Sequence, residues 1–289
     1  MSVQAQAAKP LAWVTGAGGL IGAEIIRAAQ EQNVGWNVRG LTRSDFDLLD
    51  YTAVREAVRR DKPSLVIHCA ALSRSPACEA NPALARRANV EVTRHLLDLS
   101  EDAVFCFFST DLIFDGGKGN YDEEDRPNPL MIYGETKLEA EGIVRQHPRH
   151  IILRISLTGG TSFSGDRGFN EETRRAWEAG KALKLFTDEF RCPMDASIPA
   201  RAVWDLAKAK GRGTYHLNGA EKLSRYEIGK LLAARCADLT PKIEAASRRD
   251  YPGAPRPADT SLNCAKIAPL LSFEIPRFSD WIKAAPSGF

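Results

Sequence analysis

No run in this chain is apolar over the roughly 18 residues that a membrane-crossing helix requires. Residues 1–10 are rich in glutamine and alanine and lack the hydrophobic region of a secretion signal, so they read as a short loose leader. Charge of one sign is missing too. The 289 residues hold 39 lysines and arginines against 37 aspartates and glutamates, a formal net charge of +2, and the basic residues are scattered. Such a chain builds no field to hold a polyanion, which argues against nucleic acid as a partner. The six cysteines (Cys69, Cys78, Cys106, Cys192, Cys236 and Cys264) include no C-x-x-C pair, and the histidines His68, His95, His147, His150 and His216 add no metal-ligand spacing. No metal is expected. Cys69 and Cys106 lie inside apolar runs, where a thiol acts as a small hydrophobe, and a reduced cytoplasmic location is expected. There is no internal repeat. What remains is a globular chain, 44% hydrophobic and 26% charged, with a small molecule as its expected partner.

The first half alternates apolar runs (11–15, 36–41, 65–69, 104–109, 151–155) with helical stretches (20–32, 51–60, 82–99, 133–146). Alternation of this kind predicts βαβ units and an α/β fold, a doubly wound parallel sheet of Rossmann type with helices on both faces. The second half is less regular. Helices are predicted over 169–179, 201–209 and 225–237, and Pro252, Pro255 and Pro257 make 250–259 an extended loop. A dinucleotide-binding domain is expected over 1–157. A mainly substrate-binding region follows over 158–289, with some segments returning to the first domain.

The first apolar run ends in Thr15-Gly16-Ala17-Gly18-Gly19-Leu20-Ile21-Gly22, directly before a helix. Gly16, Gly19 and Gly22 let backbone N–H groups approach a pyrophosphate, and a helix opening at Leu20 and Ile21 adds partial positive charge. Strand before and helix after give the motif its context. A bulky side chain at Gly19 is expected to block the approach. After the second run stands Leu41-Thr42-Arg43-Ser44. An acidic residue there would bind a free ribose hydroxyl, whereas Arg43 suits a 2′-phosphate. Asp45 is the nearby alternative. The reading favours NADPH, with NADH as the other cofactor.

Tyr133-Gly134-Glu135-Thr136-Lys137 places a phenol and an ammonium four residues apart, on one helix face. An ordinary phenol, near pKa 10, is a poor acid–base group at neutral pH, and a neighbouring ammonium lowers it. Ser109-Thr110-Asp111 closes the fourth run, where ligands of an open α/β sheet collect. A hydroxyl there holds a substrate carbonyl.

Together these motifs resemble the extended short-chain dehydrogenases, and within them the dTDP-4-dehydrorhamnose reductase family. Further matching blocks are KPSLVIHCAA (62–71), STDLIFDG (109–116), NPLMIYGETK (128–137), LRIS (153–156), GTYHLNG (213–219) and RPADTSLNCAK (256–266). They follow the family's order along almost the whole chain. The resemblance implies reduction of a 4-keto nucleotide sugar with NAD(P)H, and Thr110, Tyr133 and Lys137 as the catalytic set. It assigns to the cofactor Gly16, Gly19, Leu20, Ile21, Gly22, Arg43, Asp47, Leu48, Ala70, Ala71, Asn89, Tyr133 and Lys137. Thr110, Asp111 and Leu157 fall to the substrate, and there is room for a homodimer. Two positions depart from the family: Leu112 replaces a common tyrosine, and Ser156-Leu157 stands where an aromatic residue is frequent.

A dehydratase would need Thr-Asp-Glu, and Leu112 lacks that carboxylate. An epimerase is an alternative. So is a non-catalytic NADP-binding regulatory protein, because the methionine adenosyltransferase beta subunit resembles the same family. The cofactor reading has a direct test. A charge-assisted contact to phosphate contributes roughly 1.5–3 kcal/mol, so Arg43→Ala should weaken NADPH markedly and NADH little in calorimetric titration. Equal losses for both would remove Arg43 from cofactor discrimination.

Overall fold

The computed structural model describes residues 9–147 and 149–285. Residues 1–8 of the expected leader lie outside that range. Six strands form one parallel sheet: β1 (Leu11–Thr15), β2 (Asn37–Leu41), β3 (Leu65–His68), β4 (Val104–Thr110), β5 (Ile151–Ile155) and β6 (Gly213–Leu217). Their spatial order is β2-β1-β3-β4-β5-β6. The chain leaves β1 toward β2 and returns on the other side at β3. The order therefore reverses between β1 and β3, and their carboxyl ends open the crevice where ligands of such sheets bind.

Both faces of the sheet are covered, which is why its strands read as continuous apolar runs. Ala12, Val14, Ile67, Phe108 and Leu153 pack against helices α1 (Leu20–Gln32) and α8 (Ser197–Lys208). Trp13, Val66, Phe105, Phe107 and Ile152 face α2 (Tyr51–Asp61), α5 (Val92–Leu99) and α6 (Ile132–Val144). The expected α/β architecture is present. A separate cluster of Phe169, Trp177, Ile228, Leu232, Phe278 and Ile282 joins α7 (Phe169–Glu178), α9 (Arg225–Arg235) and α10 (Phe278–Ala284). Beside it, Ala182–Phe186 pairs in parallel with Lys242–Ala246. No helix among the described residues is long and apolar enough to cross a membrane.

Three elements differ from the reading of the sequence. The single helix expected over 82–99 is α4 (Pro82–Arg86), a π-helical turn at Arg87–Glu91, and α5. The wider turn carries the buried Asn89. Helix α8 begins at Ser197, four residues before the predicted start at 201, because Pro199 sits in its first turn, where no backbone donor is needed. Helix α3 (Ser75–Ala80) and strand β6 were not expected. The short α3 has too few residues to show a period, and β6 alternates Tyr215 and Leu217 with the buried His216.

Two histidines are locked neutral in this core. Thr15 Oγ1 lies 2.7 Å from His68 Nδ1, and burial, with Lys137 nearby, holds that imidazole down to about 3. Arg154 Nη1 donates to His216 Nε2 at 3.1 Å, and His216 Nδ1 donates to the Tyr121 carbonyl at 3.0 Å. Burial, then Arg154, depresses His216 to about 3. The unfolded chain takes up these protons near pH 6.5 while the folded chain does so only near pH 3. Their contribution is present above pH 6.5 and is lost as pH falls toward 3. At about pH 5 each histidine should cost about 2 kcal/mol. Urea unfolding at about pH 7.5 and 5 should show that fall, and His216→Gln should show a smaller one. An equal fall in the variant would count against His216.

Candidate active site

The site is built upward from the end of β1. Gly16 has φ +70°, and a Cβ on it would lie 2.8 Å from the Ala70 nitrogen, so the turn after β1 packs directly on the turn after β3. Ala70 N in turn donates to Thr15 Oγ1 at 3.3 Å. A Cβ on Gly22 would meet the Gly16 carbonyl oxygen at 2.3 Å, whereas one on Gly19 would meet it at 3.2 Å. The tightest steric demand therefore falls on Gly22 and Gly16, and only mildly on Gly19. Helix α1 starts at Leu20 without a side-chain cap on its N-terminal N–H groups and without an acidic residue in its first turn. Its positive end, carrying Leu20, Ile21 and Gly22, is not offset by a carboxylate of its own and suits a pyrophosphate.

At the end of β2 the two rivals for the ribose separate. The Asp45 carboxylate accepts from Thr42 N and Thr42 Oγ1, both at 2.9 Å, and those bonds hold it below the usual carboxylate range. Arg43 is exposed, and among the described residues it has no acidic partner. Asp47 and Leu48 follow. Asp47 Oδ1 accepts from Leu49 N at 3.0 Å, and Leu48 leans on the Trp13 side of the core.

Across the crevice, β4 ends at the buried Thr110, whose hydroxyl accepts from Leu112 N at 3.2 Å and lies 3.2 Å from Asp111 Oδ1. Helix α6 carries Tyr133, and Thr110 is among the groups acting on its phenol. Burial, then Asp111 and Cys78, pushes the phenol upward, with Thr110 pulling the other way. Lys137, 3% exposed, sits with Nζ 3.9 Å from the centre of the Phe107 ring, and burial pulls its ammonium down to about 7. The expected lowering of Tyr133 by Lys137 is absent: the groups acting on the phenol do not include the lysine, and burial dominates both.

Two supports fix these groups. Asn89, in the π turn, donates to Thr136 Oγ1 at 3.0 Å and to the Leu72 carbonyl at 3.1 Å, and accepts from Leu72 N at 2.8 Å. With its amide occupied, Asn89 braces α6 against the turn that carries Ala70 and the exposed Ala71. Asp111, 3% exposed, takes Ser156 Oγ at 3.1 Å and Thr260 Oγ1 at 2.5 Å, and burial raises its carboxyl. Leu157 next to Ser156 packs on the Phe169 cluster.

Beyond Asp111 lies a charged cluster that motif reading did not pick out. Arg191 Nε is 3.9 Å from Asp111, and its Nη2 is 3.1 Å from Glu189 but off the hydrogen-bonding angle, without an acceptor. Arg256 grips Glu189 with two bonds of 2.8 and 2.7 Å. Arg225, tethered through its backbone to the Glu189 carbonyl and lying over the Phe169 ring at 5.8 Å, has no carboxylate within ion-pair distance among the described residues. Burial lowers it to about 10. These residues come from separate elements, so no spacing announces them; Arg256 alone lies in a block already matched to the family. A second cleft of about 660 Å³, lined by Arg126, Arg145, His150, Arg154 and Lys266 among others, lies at the amino ends of β5 and β6 and holds none of these groups.

Gly22→Ala should destabilise the chain by about 1–3 kcal/mol, because the helix must move off the Gly16 carbonyl. Dinucleotide affinity should fall with it, while Gly18→Ala, with 3.8 Å to its nearest neighbour, should change stability little. Chemical denaturation of the two variants checks this, and equal stabilities would contradict the tight packing.

The RmlD substrate binding domain model matches residues 12–287. A probable low-salt glycan biosynthesis reductase of Haloferax volcanii, Agl14, is 30% identical over 96% of this chain and 98% of its own length. Methionine adenosyltransferase 2 subunit beta of Bos taurus is 28% identical over 89% of this chain and 81% of its own. The crystal structure of a dTDP-4-dehydrorhamnose reductase of Clostridium acetobutylicum superposes with a TM-score of 0.84 at 26% identity, covering 95% of this chain and 97% of that one. The resemblance carried by the glycine turn, Thr110 and the Tyr133–Lys137 pair thus extends over nearly the full length, and the chain belongs to the RmlD substrate binding domain family.

Proposed function

We propose that this protein is an NADPH-dependent reductase of a keto group on a nucleotide sugar. One observation carries the reading: Thr110, which acts on the Tyr133 phenol, joins, through Asp111 and Arg191, a group of guanidinium ions with cationic valence to spare. Glu189 is shared by Arg191 and Arg256, and Arg225 is unpaired among the described residues. A carbonyl at one end and a diphosphate at the other match that layout. The relatives named for a dTDP-sugar reductase and a glycan biosynthesis reductase support the same substrate class.

The glycine turn, the uncapped start of α1 and the unpaired Arg43 fit a dinucleotide with a 2′-phosphate. Bound there, it supplies hydride to the carbonyl carbon. Tyr133 donates its hydroxyl proton to the carbonyl oxygen, which Thr110 steadies. A phenol held upward keeps that proton at neutral pH, as a general acid must. Lys137, one turn along α6, is placed to hold the nicotinamide ribose and to offset the charge left on Tyr133. Six free thiols are consistent with work in a reducing, cytoplasmic setting.

The regulatory reading is kept alive by one fact, the 28% identity to a methionine adenosyltransferase subunit. The two readings part on one variant. Tyr133→Phe removes a single oxygen, so folding and NADPH affinity should persist while turnover of a 4-keto nucleotide sugar falls about 10²–10⁴-fold. Steady-state kinetics on a panel of such sugars, with NADPH binding measured in parallel, checks this. Turnover unchanged in the variant would remove Tyr133 from the mechanism, and none in the natural chain despite NADPH binding would favour the regulatory reading.

A further inference from the structure

Tyr133, Lys137, Glu141 and Arg145 follow one another at four-residue steps along α6 and its C-terminal cap, so each lies one turn beyond the last on the same side. Glu141 is fully buried and beside Lys137, itself 3% exposed. Its carboxylate is locked from β5 by Arg154, with Nε 3.0 Å from Oε1 and Nη2 2.8 Å from Oε2. Arg154 is 1% exposed and is held in turn by His216, its register partner on β6. Arg145, at the solvent end, reaches the same carboxylate at 2.5 Å.

A buried ion pair is a poor source of net stability, because desolvation offsets its attraction. This one has a neighbour that needs a negative charge. The groups acting on Lys137 are Cys69, directly after β3, and Glu141, and His68 at the end of β3 faces it as well. Among the described residues no side chain accepts a hydrogen bond from Lys137 Nζ, and the Phe107 ring lies beneath it. His68 is neutral and the Cys69 thiol is raised well above its ordinary range, so neither carries charge near neutral pH. Glu141 does.

We propose that Glu141 is a positioning residue for the reduction: its carboxylate, aligned by Arg154 and partly offset by Arg145, keeps Lys137 charged where the lysine meets ribose and Tyr133. The proposal rests on the reductase reading above. Glu141 touches neither substrate nor cofactor and acts through Lys137.

The test follows NADPH binding from about pH 6 to 9 by fluorescence titration, in the natural chain and in two variants. Loss of the Lys137 proton should give the affinity an alkaline limb. Glu141→Gln removes the negative neighbour, so that limb should move down by about one pH unit. Arg145→Ala, at a side chain 40% exposed, frees the carboxylate from a competing cation and should move the limb up. A merely structural Glu141 would lower thermal stability in the first variant and leave the limb in place in both. If Glu141→Gln fails to fold, with Arg154 left buried and unpaired, the direction of the Arg145→Ala shift decides. An unmoved limb in a natural-strength binder overturns the role of Glu141 alone. Failure of the natural chain to bind NADPH overturns the cofactor reading and this role with it.

Discussion

The ion pair between Arg154 on β5 and Glu141 on α6 ties the helix that carries Tyr133 and Lys137 to the strand beside the sheet edge. Breaking such a pair by removing one partner typically costs about 3–5 kcal/mol, since the other charge is stranded in the core. Other contacts index the same helix. Its first residue, Ile132, donates its backbone N–H to Glu79 of α3 at 2.8 Å. Thr136 is held by Asn89, and Arg86 of α4 pairs with Glu139 on the outer side. With α6 fixed at both ends and along its length, the Tyr133 hydroxyl arrives at Thr110 without needing a loop to order it.

Two charged neighbourhoods flank that point. Around Arg191, Asp111 and Glu189 are each engaged by hydroxyls or guanidiniums, and the excess is positive. Toward the core, Lys137 faces apolar rings, a neutral imidazole and one carboxylate a helical turn away. Burial is the largest single influence on each, although the guanidiniums around Glu189 outweigh it there and hold that carboxyl below its ordinary range. Burial lifts Tyr133 and Asp111, lowers Lys137, and leaves the surrounding hydrogen bonds and charges to decide how far each goes. The local dielectric, more than any single pair, prepares a phenol that keeps its proton and makes the lysine depend on the charges around it.

Much of this was legible along the chain. Short-range constraints announce themselves by spacing: glycines where a strand turns into a helix, apolar runs where both sheet faces are covered, Tyr133 and Lys137 four apart on one helix face. Those features fixed the α/β class, the crevice and the family before any coordinate was known. Gly16 and Gly22 were named for the approach of a pyrophosphate; the contacts that forbid a Cβ there are with the chain itself, the Ala70 backbone at Gly16 and the Gly16 carbonyl at Gly22.

Sequence alone therefore determined most of the sheet and its flanking helices and the turns at the carboxyl ends of β1, β3 and β4, because periodicity and turn chemistry are local, but not the short α3 or the last strand β6. It did not reveal that Asn89 would be absorbed in bracing Thr136 and Leu72, since a π turn adds a residue without leaving a compositional mark. Nor did it reveal Arg191, Arg225, Arg256 and Glu189 as one cluster. Glu189 and Arg256 are separated by 67 positions and meet only after the loop of three prolines folds back over the Glu189 segment. Charge and pKa were decided last. They depend on burial and on neighbours brought from other strands: Lys137 has Glu141 on its own helix, but it met its aromatic floor, Phe107, only when α6 settled on β4.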